Sequence, residues 1–372
     1  MIRVSEPTVA EQDIKAVIDA LKKGEISGTF GDYISSFETG FANYSDCEFG
    51  ISTTSGTTAL HLAIAALDIG TGDEIIVPAF TNMASFFSVS YSGAVPIPAD
   101  IEPLTFNIDV NKIEALITER TKAIMVVHIF GHPANMDVIS LIAEKYKLYI
   151  IEDAAEAHGA TYNGKKAGSL GHIAAFSFYA NKIITTGEGG MVTTNDFNVS
   201  QRCRELQSLA YGKGRDRFIH SDIGFNYRLT NYQAALGFSQ LQRIEDIITR
   251  KRKIAHYFNN FFSDIQDVFL PQELEGTRSV YWVYSVFLKG KLENSRDKIT
   301  RKLRELGIET RPAFTPYTQQ RHIAPNEIIK KYPCPISETV GANCFYIPSA
   351  INLTDQQLEY VAQKVKKLLI QL

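Results

Sequence analysis

Ala123-Ile124-Met125-Val126-Val127 is apolar at every position. A strand with one face in water alternates apolar and polar residues, so this run predicts a strand buried on both faces of a sheet. We predict strands at Glu74–Phe80, Val95–Ile101, Ala123–Phe130, Leu148–Asp153, Ala174–Tyr179 and Gly190–Thr194. Stretches of helical period, such as Thr57–Leu67 and Met136–Tyr146, lie between them. Strands that alternate with helices predict an α/β fold with a mainly parallel sheet covered on both sides.

The pattern changes after residue 230. Asn231 to Phe262 is a long, largely uninterrupted helical stretch that we expect to join two domains. A predicted strand and two predicted helices follow, at Val280–Leu288, Ser295–Leu306 and Gln356–Leu372. Thr354, with Gln357 three residues later, has the form of a capping box before the last helix. Because a chain of 372 residues usually forms more than one core, we predict a large α/β domain over residues 1–245 and a smaller C-terminal α+β domain over residues 246–372.

The composition argues against several classes of function. The chain has 38 basic and 41 acidic side chains and a formal net charge of −3, so nothing indicates nucleic acid or an anionic membrane as a partner. Its four cysteines form no CxxC pair, which is typical of scattered reduced thiols and not of disulfides or a zinc site. The first residues lack the apolar stretch of a signal peptide, and no apolar run is long enough to span a bilayer. We therefore expect a soluble, cytoplasmic protein without a metal site.

The segment from Ala175 to Met191 is the most informative for chemistry. Lys182 follows a predicted strand, and α/β folds place their sites at the ends of such strands. Partial desolvation there would lower the pKa of the amine and free its lone pair to form an imine. The glycines at positions 187, 189 and 190 would let the backbone pass close to a bound group. Most lysines lie at the surface, and on these features alone that alternative stays open for Lys182.

Two other segments suit a cofactor. Asp153 closes a predicted strand, where its carboxylate could pair with a protonated pyridine nitrogen. A helix N-cap or a salt-bridged strand end is the alternative for Asp153. Ser55-Gly56-Thr57 leads into a predicted helix, whose free amides and dipole would form a seat for phosphate. An ordinary helix cap is equally consistent with that segment.

The order of these motifs indicates a family. They are Ser55-Gly56-Thr57, Asp153-Ala-Ala-Glu156, Ser177-Phe-Tyr-x-x-Lys182, Gly187-Glu-Gly-Gly190 and Asn226-Tyr-Arg228. Together they resemble the DegT/DnrJ/EryC1/StrS aminotransferases, sugar aminotransferases with the aspartate aminotransferase fold, and within them the GDP-perosamine synthases. The resemblance covers nearly the whole chain. It implies a fold type I large domain that binds pyridoxal 5′-phosphate, in a homodimer whose active site is shared between subunits.

The resemblance also implies a role for each matching residue. Lys182 would hold the cofactor as a Schiff base and carry the proton during transfer, while Asp153 would pair with the pyridine nitrogen. Ala155 would pack on one face of the ring, and Glu156 would lie near the ring hydroxyl and the substrate. The phosphate would be held by the amides of Gly56 and Thr57, the hydroxyl of Ser177, and Asn226 of the partner subunit.

Some positions depart from the family pattern. Asn82 stands where the family usually has an aromatic residue stacked on the ring, and we retain it as a cofactor-binding position. Thr315 and Thr318 replace a tyrosine and a histidine near the acceptor, and Glu25 replaces a tryptophan. With Arg311, the two threonines are our candidate substrate residues.

The resemblance implies transfer of an amino group from L-glutamate to the keto group of a nucleotide-linked 4-keto-6-deoxysugar. Because the departures lie around the ring or the acceptor, the same transfer to a small ketone, phosphorylated or not, stays open. A cofactor-binding regulator without turnover and a pyridoxal-phosphate dehydratase or decarboxylase are further alternatives. Related dehydratases have histidine at the position of Lys182, so this lysine favours amino transfer.

Overall fold

The computed structural model of the protein describes residues 1–212, 214–321 and 331–371. Its strands are β1 (Phe49–Thr53), β2 (Glu74–Pro78), β3 (Val95–Ala99), β4 (Thr121–Val127), β5 (Tyr149–Asp153), β6 (Thr161–Tyr162), β7 (Lys165–Lys166), β8 (Ile173–Ser177), β9 (Gly190–Thr194), β10 (Val268–Phe269), β11 (Thr277–Arg278), β12 (Tyr284–Leu288), β13 (Arg311–Pro312) and β14 (Cys344–Ile347). Its α-helices are α1 (Glu11–Lys22), α2 (Asp32–Tyr44), α3 (Gly56–Ala66), α4 (Met83–Tyr91), α5 (Val110–Ile113), α6 (Met136–Tyr146), α7 (Phe197–Gln207), α8 (Asn231–Leu241), α9 (Ile244–Phe262), α10 (Arg296–Glu305), α11 (Pro335–Asn343) and α12 (Asp355–Gln371). Among the described residues, no helix combines the length and the apolar character needed to cross a membrane.

The large sheet has the strand order β1-β9-β8-β5-β4-β2-β3. Its pairs from β8 to β3 are parallel, and β9 runs antiparallel to both β8 and β1. The prediction of a mainly parallel sheet in an α/β fold is therefore confirmed. The sequence did not predict β1, because Ser52 and Thr53 interrupt its apolar pattern. Ser52 is nevertheless buried, since its amide and its hydroxyl both donate to Oε1 of Glu38, at 2.8 and 2.7 Å.

The parallel register brings polar strand ends to one edge. Asp153, the last residue of β5, pairs with Val127 of β4 and with Ala175 of β8. Ser177 ends β8 two residues later. The carboxyl ends of these strands therefore face the same space, which is where open α/β sheets place their ligands.

The predicted helices at Thr57–Leu67 and Met136–Tyr146 are confirmed as α3 and α6. The prediction of one long helix from Asn231 to Phe262 was wrong in one respect, because the chain forms two helices, α8 and α9. The backbone leaves helical geometry at Arg243, with φ −125° and ψ 18°. The Arg243 guanidinium binds the buried carboxylate of Asp13 and the carbonyl of Thr8. This anchor holds the break in place.

The second half of the chain forms a smaller antiparallel sheet with the order β10-β12-β14-β13. Helices α9, α10 and α12 contribute apolar side chains to the core behind it. The predicted capping box is present, since Thr354 and Gln357 exchange hydrogen bonds of 3.0 and 3.2 Å. The N-terminal residues also join this unit, because Ile2 pairs with Ile308. The domain boundary at residue 245 stays a prediction.

The predicted strand Val280–Leu288 is shorter in the structure, because β12 begins only at Tyr284. Before that point the backbone binds the large domain. The amides of Val280 and Trp282 donate to the carbonyls of Gly131 and Phe130, both at 3.0 Å. This link carries Trp282 to the edge of the large sheet.

Candidate active site

A cavity of about 360 Å³ opens at this edge, between the carboxyl ends of β5 and β8 and the first turn of α3. Nine of the twelve candidate catalytic, cofactor and substrate residues line it: Gly56, Thr57, Asn82, Asp153, Ala155, Glu156, Ser177, Lys182 and Arg311. Residues far apart in the sequence thus meet in one concave site, as the motif order predicts.

Lys182 lies in the turn after β8, where its amide donates to the carbonyl of Tyr179 at 2.9 Å. Its side chain is only 10% exposed, and its Nζ lies 3.9 Å from Oε1 of Glu156. Burial lowers the pKa of the Lys182 amine, while the charges of Glu156 and Asp153 act in the opposite direction. A lower pKa increases the fraction of neutral amine, which is the form that attacks a carbonyl.

Trp282 covers one side of this amine. The Lys182 Nζ lies 3.9 Å from the centre of the indole ring, and the indole N–H donates to the carbonyl of Asn181 at 2.8 Å. The buried Nζ of Lys251 donates to the Trp282 carbonyl at 2.8 Å and to the Ser349 carbonyl at 3.0 Å. Both the ring and the backbone of Trp282 are therefore fixed.

Asp153 lies on the floor of the cavity. Its Oδ2 accepts a hydrogen bond from the Ser85 hydroxyl at 2.7 Å, and its Oδ1 accepts one from the Ala155 amide at 3.2 Å. Burial raises the pKa of Asp153, against the effect of these two donors and of Lys182. A cation placed beside Asp153 would favour its ionised form, because opposite charges stabilise each other in a buried site.

Glu156 faces Lys182 from the loop after β5. Its Oε2 accepts a hydrogen bond from the amide of Phe130 at 2.7 Å. Burial raises the pKa of Glu156, and the charge of Lys182 opposes that shift. The two side chains form a buried acid–base pair whose proton distribution responds to whatever binds between them.

The first turn of α3 has the properties of an anion seat. Ser55 caps the helix, since its Oγ accepts from the amide of Thr58 at 3.1 Å. The amides of Gly56 and Thr57 form no hydrogen bond with other residues in the described ranges. A Cβ on Gly56 would lie 2.7 Å from the Cβ of Ser177. Glycine therefore lets the helix N-terminus and the Ser177 hydroxyl approach the same point.

The other two candidate residues at the cavity, Asn82 and Arg311, make hydrogen bonds or ion pairs with neighbouring residues. Asn82 is the N-cap of α4, and its Oδ1 accepts from the amide of Ala84 at 3.0 Å. Arg311 lies in β13 opposite Tyr346, and its guanidinium is 3.4 Å from Oε1 of Glu309.

Three predicted site residues do not line this cavity. Thr318 is buried, and its hydroxyl donates to Glu338 at 2.7 Å. Thr315 is exposed, as is Asn226, whose backbone pairs with Ser208. The substrate contacts of the two threonines and the phosphate contact of Asn226 stay predictions.

The model of the DegT/DnrJ/EryC1/StrS aminotransferase family matches residues 7–366. The chain belongs to that family. It is 41% identical over 373 residues to the GDP-perosamine synthase of Caulobacter vibrioides, with 99% of this chain and 98% of that protein covered. This supports the predicted resemblance to such synthases within the DegT/DnrJ/EryC1/StrS family.

Solved structures of other aminotransferases are similar to this DegT/DnrJ/EryC1/StrS protein throughout. DesV of S. venezuelae, in complex with a ketimine intermediate, has a TM-score of 0.89 and 31% identity, with 96% of this chain and 94% of that one covered. The PLP form of Spr1654 from Streptococcus pneumoniae has a TM-score of 0.93 and 26% identity, with 100% of this chain and 99% of that one covered. The protein is therefore a pyridoxal-phosphate-dependent aminotransferase of fold type I, as the sequence predicts.

Two residues around the site of this aminotransferase belong to none of the sequence motifs. Ser85 lies on α4, and no motif marks its hydroxyl as the partner of Asp153. Trp282 is the single tryptophan of the chain, which was the one available signal for a special role. It is separated from Lys182 by a hundred residues of sequence.

Proposed function

We propose that this aminotransferase moves the amino group of L-glutamate to the keto group of a nucleotide-linked 4-keto-6-deoxysugar. The observation that carries the amino-transfer chemistry is the buried amine of Lys182, 3.9 Å from the carboxylate of Glu156 and beneath the ring of Trp282. The similarity to a GDP-perosamine synthase supports the class of acceptor.

The residues of the cavity fit pyridoxal 5′-phosphate chemically. The amides of Gly56 and Thr57 and the hydroxyl of Ser177 would hold the phosphate. Asp153 would hold a proton on the pyridine nitrogen, and Ala155 and Asn82 would border the ring. When bound, the cofactor supplies an aldehyde that condenses with amines and a ring that withdraws electrons from the bonds of the attached carbon.

Lys182 would act twice. Its neutral Nζ would bind the cofactor covalently, and once displaced by the amino donor the same Nζ would take the proton from the carbon that bears the amino group. The same amine would also deliver that proton where the transfer requires it, before water releases the keto acid. One amine suits both roles because desolvation keeps its pKa below that of a lysine in water.

Glu156 and Trp282 would set the conditions for this proton transfer. Glu156 lies close enough to change the charge of Lys182, and a backbone amide fixes its second oxygen. Trp282 covers one side of Nζ at 3.9 Å and shields the amine from water there.

We also propose a homodimer in which Asn226 reaches the phosphate held by its partner subunit. Its exposure outside the cavity of its own subunit supports this arrangement. Asn226→Ala should then weaken cofactor retention during dialysis, while Asn198→Ala, at another exposed asparagine, should not. Equal retention by the two variants would contradict the shared site.

A two-step optical titration tests the proposed function. L-glutamate is added first and should bleach the visible band of the lysine-bound cofactor as the pyridoxamine form accumulates. GDP-4-keto-6-deoxymannose is added next and should restore the band. D-glutamate serves as the control for the first step.

The two steps separate the chemistry from the acceptor. No bleaching by L-glutamate would contradict the amino donor. Bleaching without recovery would discard this sugar nucleotide as the acceptor. Recovery with a small keto-phosphate in its place would then establish the alternative acceptor.

A further inference from the structure

A second cleft, of about 850 Å³, lies beside the active-site cavity. Five arginines and two carboxylates line it: Arg3, Arg296, Arg301, Arg304, Arg311, Asp297 and Glu309. The whole chain carries a formal net charge of −3. The cleft is therefore a concentration of positive charge on a protein that is negative overall, and a concave charged surface attracts ligands of opposite sign.

Helix α10 presents one side to the cleft. Asp297, Thr300, Arg301 and Arg304 follow the spacing i, i+3, i+4 and i+7, which places them on one face of a helix. Ile299 and Leu303 on other positions of α10 are fully buried. The core thus fixes the helix, and the direction of its arginine face is set by the fold.

The charges of the cleft are only partly neutralised. Three of the five arginines have a carboxylate partner: Arg3 pairs with Glu6 at 3.6 Å, Arg296 with Asp297 at 3.1 Å and Arg311 with Glu309 at 3.4 Å. In the described part of the chain, Arg301 and Arg304 have no carboxylate partner within 4.0 Å. Two guanidinium groups are therefore free to bind an anion, and their planar donor geometry suits phosphate oxygens.

Arg311 connects the two spaces, because its side chain lines both the arginine cleft and the cavity that contains Lys182. The two spaces therefore adjoin at this residue, and a ligand that spanned it would reach both. It would place an uncharged carbonyl-bearing part near Lys182 and an anionic part near α10. A sugar linked to a nucleoside through a diphosphate has this distribution of charge.

We propose that the arginine cleft binds the diphosphate of a nucleoside-diphosphate-linked sugar, with Arg301 and Arg304 as phosphate ligands and Arg311 at the junction with the reacting sugar. This inference rests on the proposed function. It identifies the diphosphate as the part of the acceptor that provides affinity for the enzyme. It makes the diphosphate, and not the sugar ring alone, the feature by which the enzyme distinguishes its acceptor from a small ketone.

The test measures binding of GDP to the holoenzyme by calorimetry, for the wild type and for Arg301→Gln/Arg304→Gln. Each lost charge-assisted hydrogen bond should weaken binding by roughly tenfold at low salt, less where water screens the charge. The double variant should therefore raise the Kd for GDP by about tenfold or more. Lys302→Gln is the matched control, because Lys302 lies on the same helix and is exposed but does not line the cleft.

Inorganic pyrophosphate and guanosine identify the part of GDP that binds. Pyrophosphate should compete with GDP in the wild type, and guanosine should not. Bleaching by L-glutamate should proceed at the same rate in all variants, since none of the substituted residues lines the cavity that contains Lys182.

Two outcomes separate this inference from the proposed function. If the sugar nucleotide restores the visible band but the double variant binds GDP as tightly as the Lys302→Gln control, only the arginine cleft is refuted. If no sugar nucleotide restores the band and GDP does not bind the wild type, both the acceptor and the cleft are refuted.

Discussion

Substitution of Ser85 by alanine tests whether helix α4, which carries Ser85, holds the carboxylate of Asp153 in place. The Ser85 hydroxyl donates to Oδ2 of Asp153 at 2.7 Å, and both groups are buried. The same hydroxyl also lies 3.0 Å from the Thr81 hydroxyl and 3.2 Å from the Asn82 carbonyl. After Ser85→Ala, the Asp153 carboxylate keeps the Ala155 amide as a donor, at the longer distance of 3.2 Å.

A hydrogen bond to a charged group contributes about 1.5–3 kcal/mol. Its loss would raise the pKa of Asp153 further, because burial already favours the neutral form. A neutral Asp153 cannot balance a protonated pyridine nitrogen. We therefore expect Ser85→Ala to weaken pyridoxal-phosphate binding and to slow the glutamate half-reaction, each by roughly 10- to 150-fold.

Ser88→Ala is the matched control. Ser88 is also fully buried on α4, but its hydroxyl donates to the Ser85 carbonyl of its own helix at 2.9 Å. Fluorescence titration of apoenzyme with the cofactor gives the affinity, since Trp282 is the single tryptophan and lines the cavity. Stopped-flow absorbance with L-glutamate gives the rate. Equal affinities and rates for the two variants would refute the role assigned to Ser85 and Asp153.

Three further predictions follow from the site and its supports. Lys182→Ala should bind the cofactor without the visible band of a Schiff base and lose roughly 10³-fold or more in turnover; an absorption spectrum and a steady-state assay check this, and near-normal turnover would contradict it. Gly56→Ala places a methyl group 2.7 Å from the Cβ of Ser177. The free energy of unfolding should therefore fall by about 1–3 kcal/mol, and the affinity for the cofactor should fall with it. Gly70→Ala is the control, because its nearest contact would be 3.4 Å away and neither quantity should change. Burial lowers the pKa of Lys251 from 10.5 to about 8. Between these pH values the unfolded chain binds more protons than the folded protein, so the folded protein becomes more stable as the pH rises. The free energy of unfolding of the wild type should therefore increase by about 3 kcal/mol relative to Lys251→Met between pH 8 and pH 10.5. Urea unfolding of both proteins across that range measures the difference, and a difference that does not change with pH would contradict the assignment.

The local parts of the site could be predicted from the sequence. Asp153 ends one apolar strand and Lys182 follows another, and the parallel arrangement of those strands brings their ends to one edge. The helix start at Ser55-Gly56-Thr57 was also predictable, because its properties depend on a few adjacent residues.

The parts that depend on long-range packing could not be predicted in the same way. Trp282 reaches Lys182 only because residues 280–283 bind the backbone at Gly131 and Phe130 and do not extend β12. An apolar run such as Val280–Leu288 has the same pattern in either arrangement. The break at Arg243 likewise depends on Asp13, which lies in a distant part of the sequence.

Asn82 both caps a helix and lines the active-site cavity. By resemblance to the family, Asn82 stands where an aromatic residue is usual. In the structure it caps α4 through the amide of Ala84 and still lines the cavity. Its local role follows from residue type, since asparagine is a good N-cap, but its position at the cavity depends on how the sheet is arranged.

Reduction of the holoenzyme with borohydride, followed by digestion and peptide mass spectrometry, tests the central claim most directly. The reduction converts a Schiff base into a stable secondary amine, so the lysine that holds the cofactor keeps a pyridoxyl group. Lys251 is the natural competitor, because it is also buried and burial also lowers its pKa. We predict the pyridoxyl group on the peptide that contains Lys182; its presence on the Lys251 peptide, or on no lysine, would contradict the account.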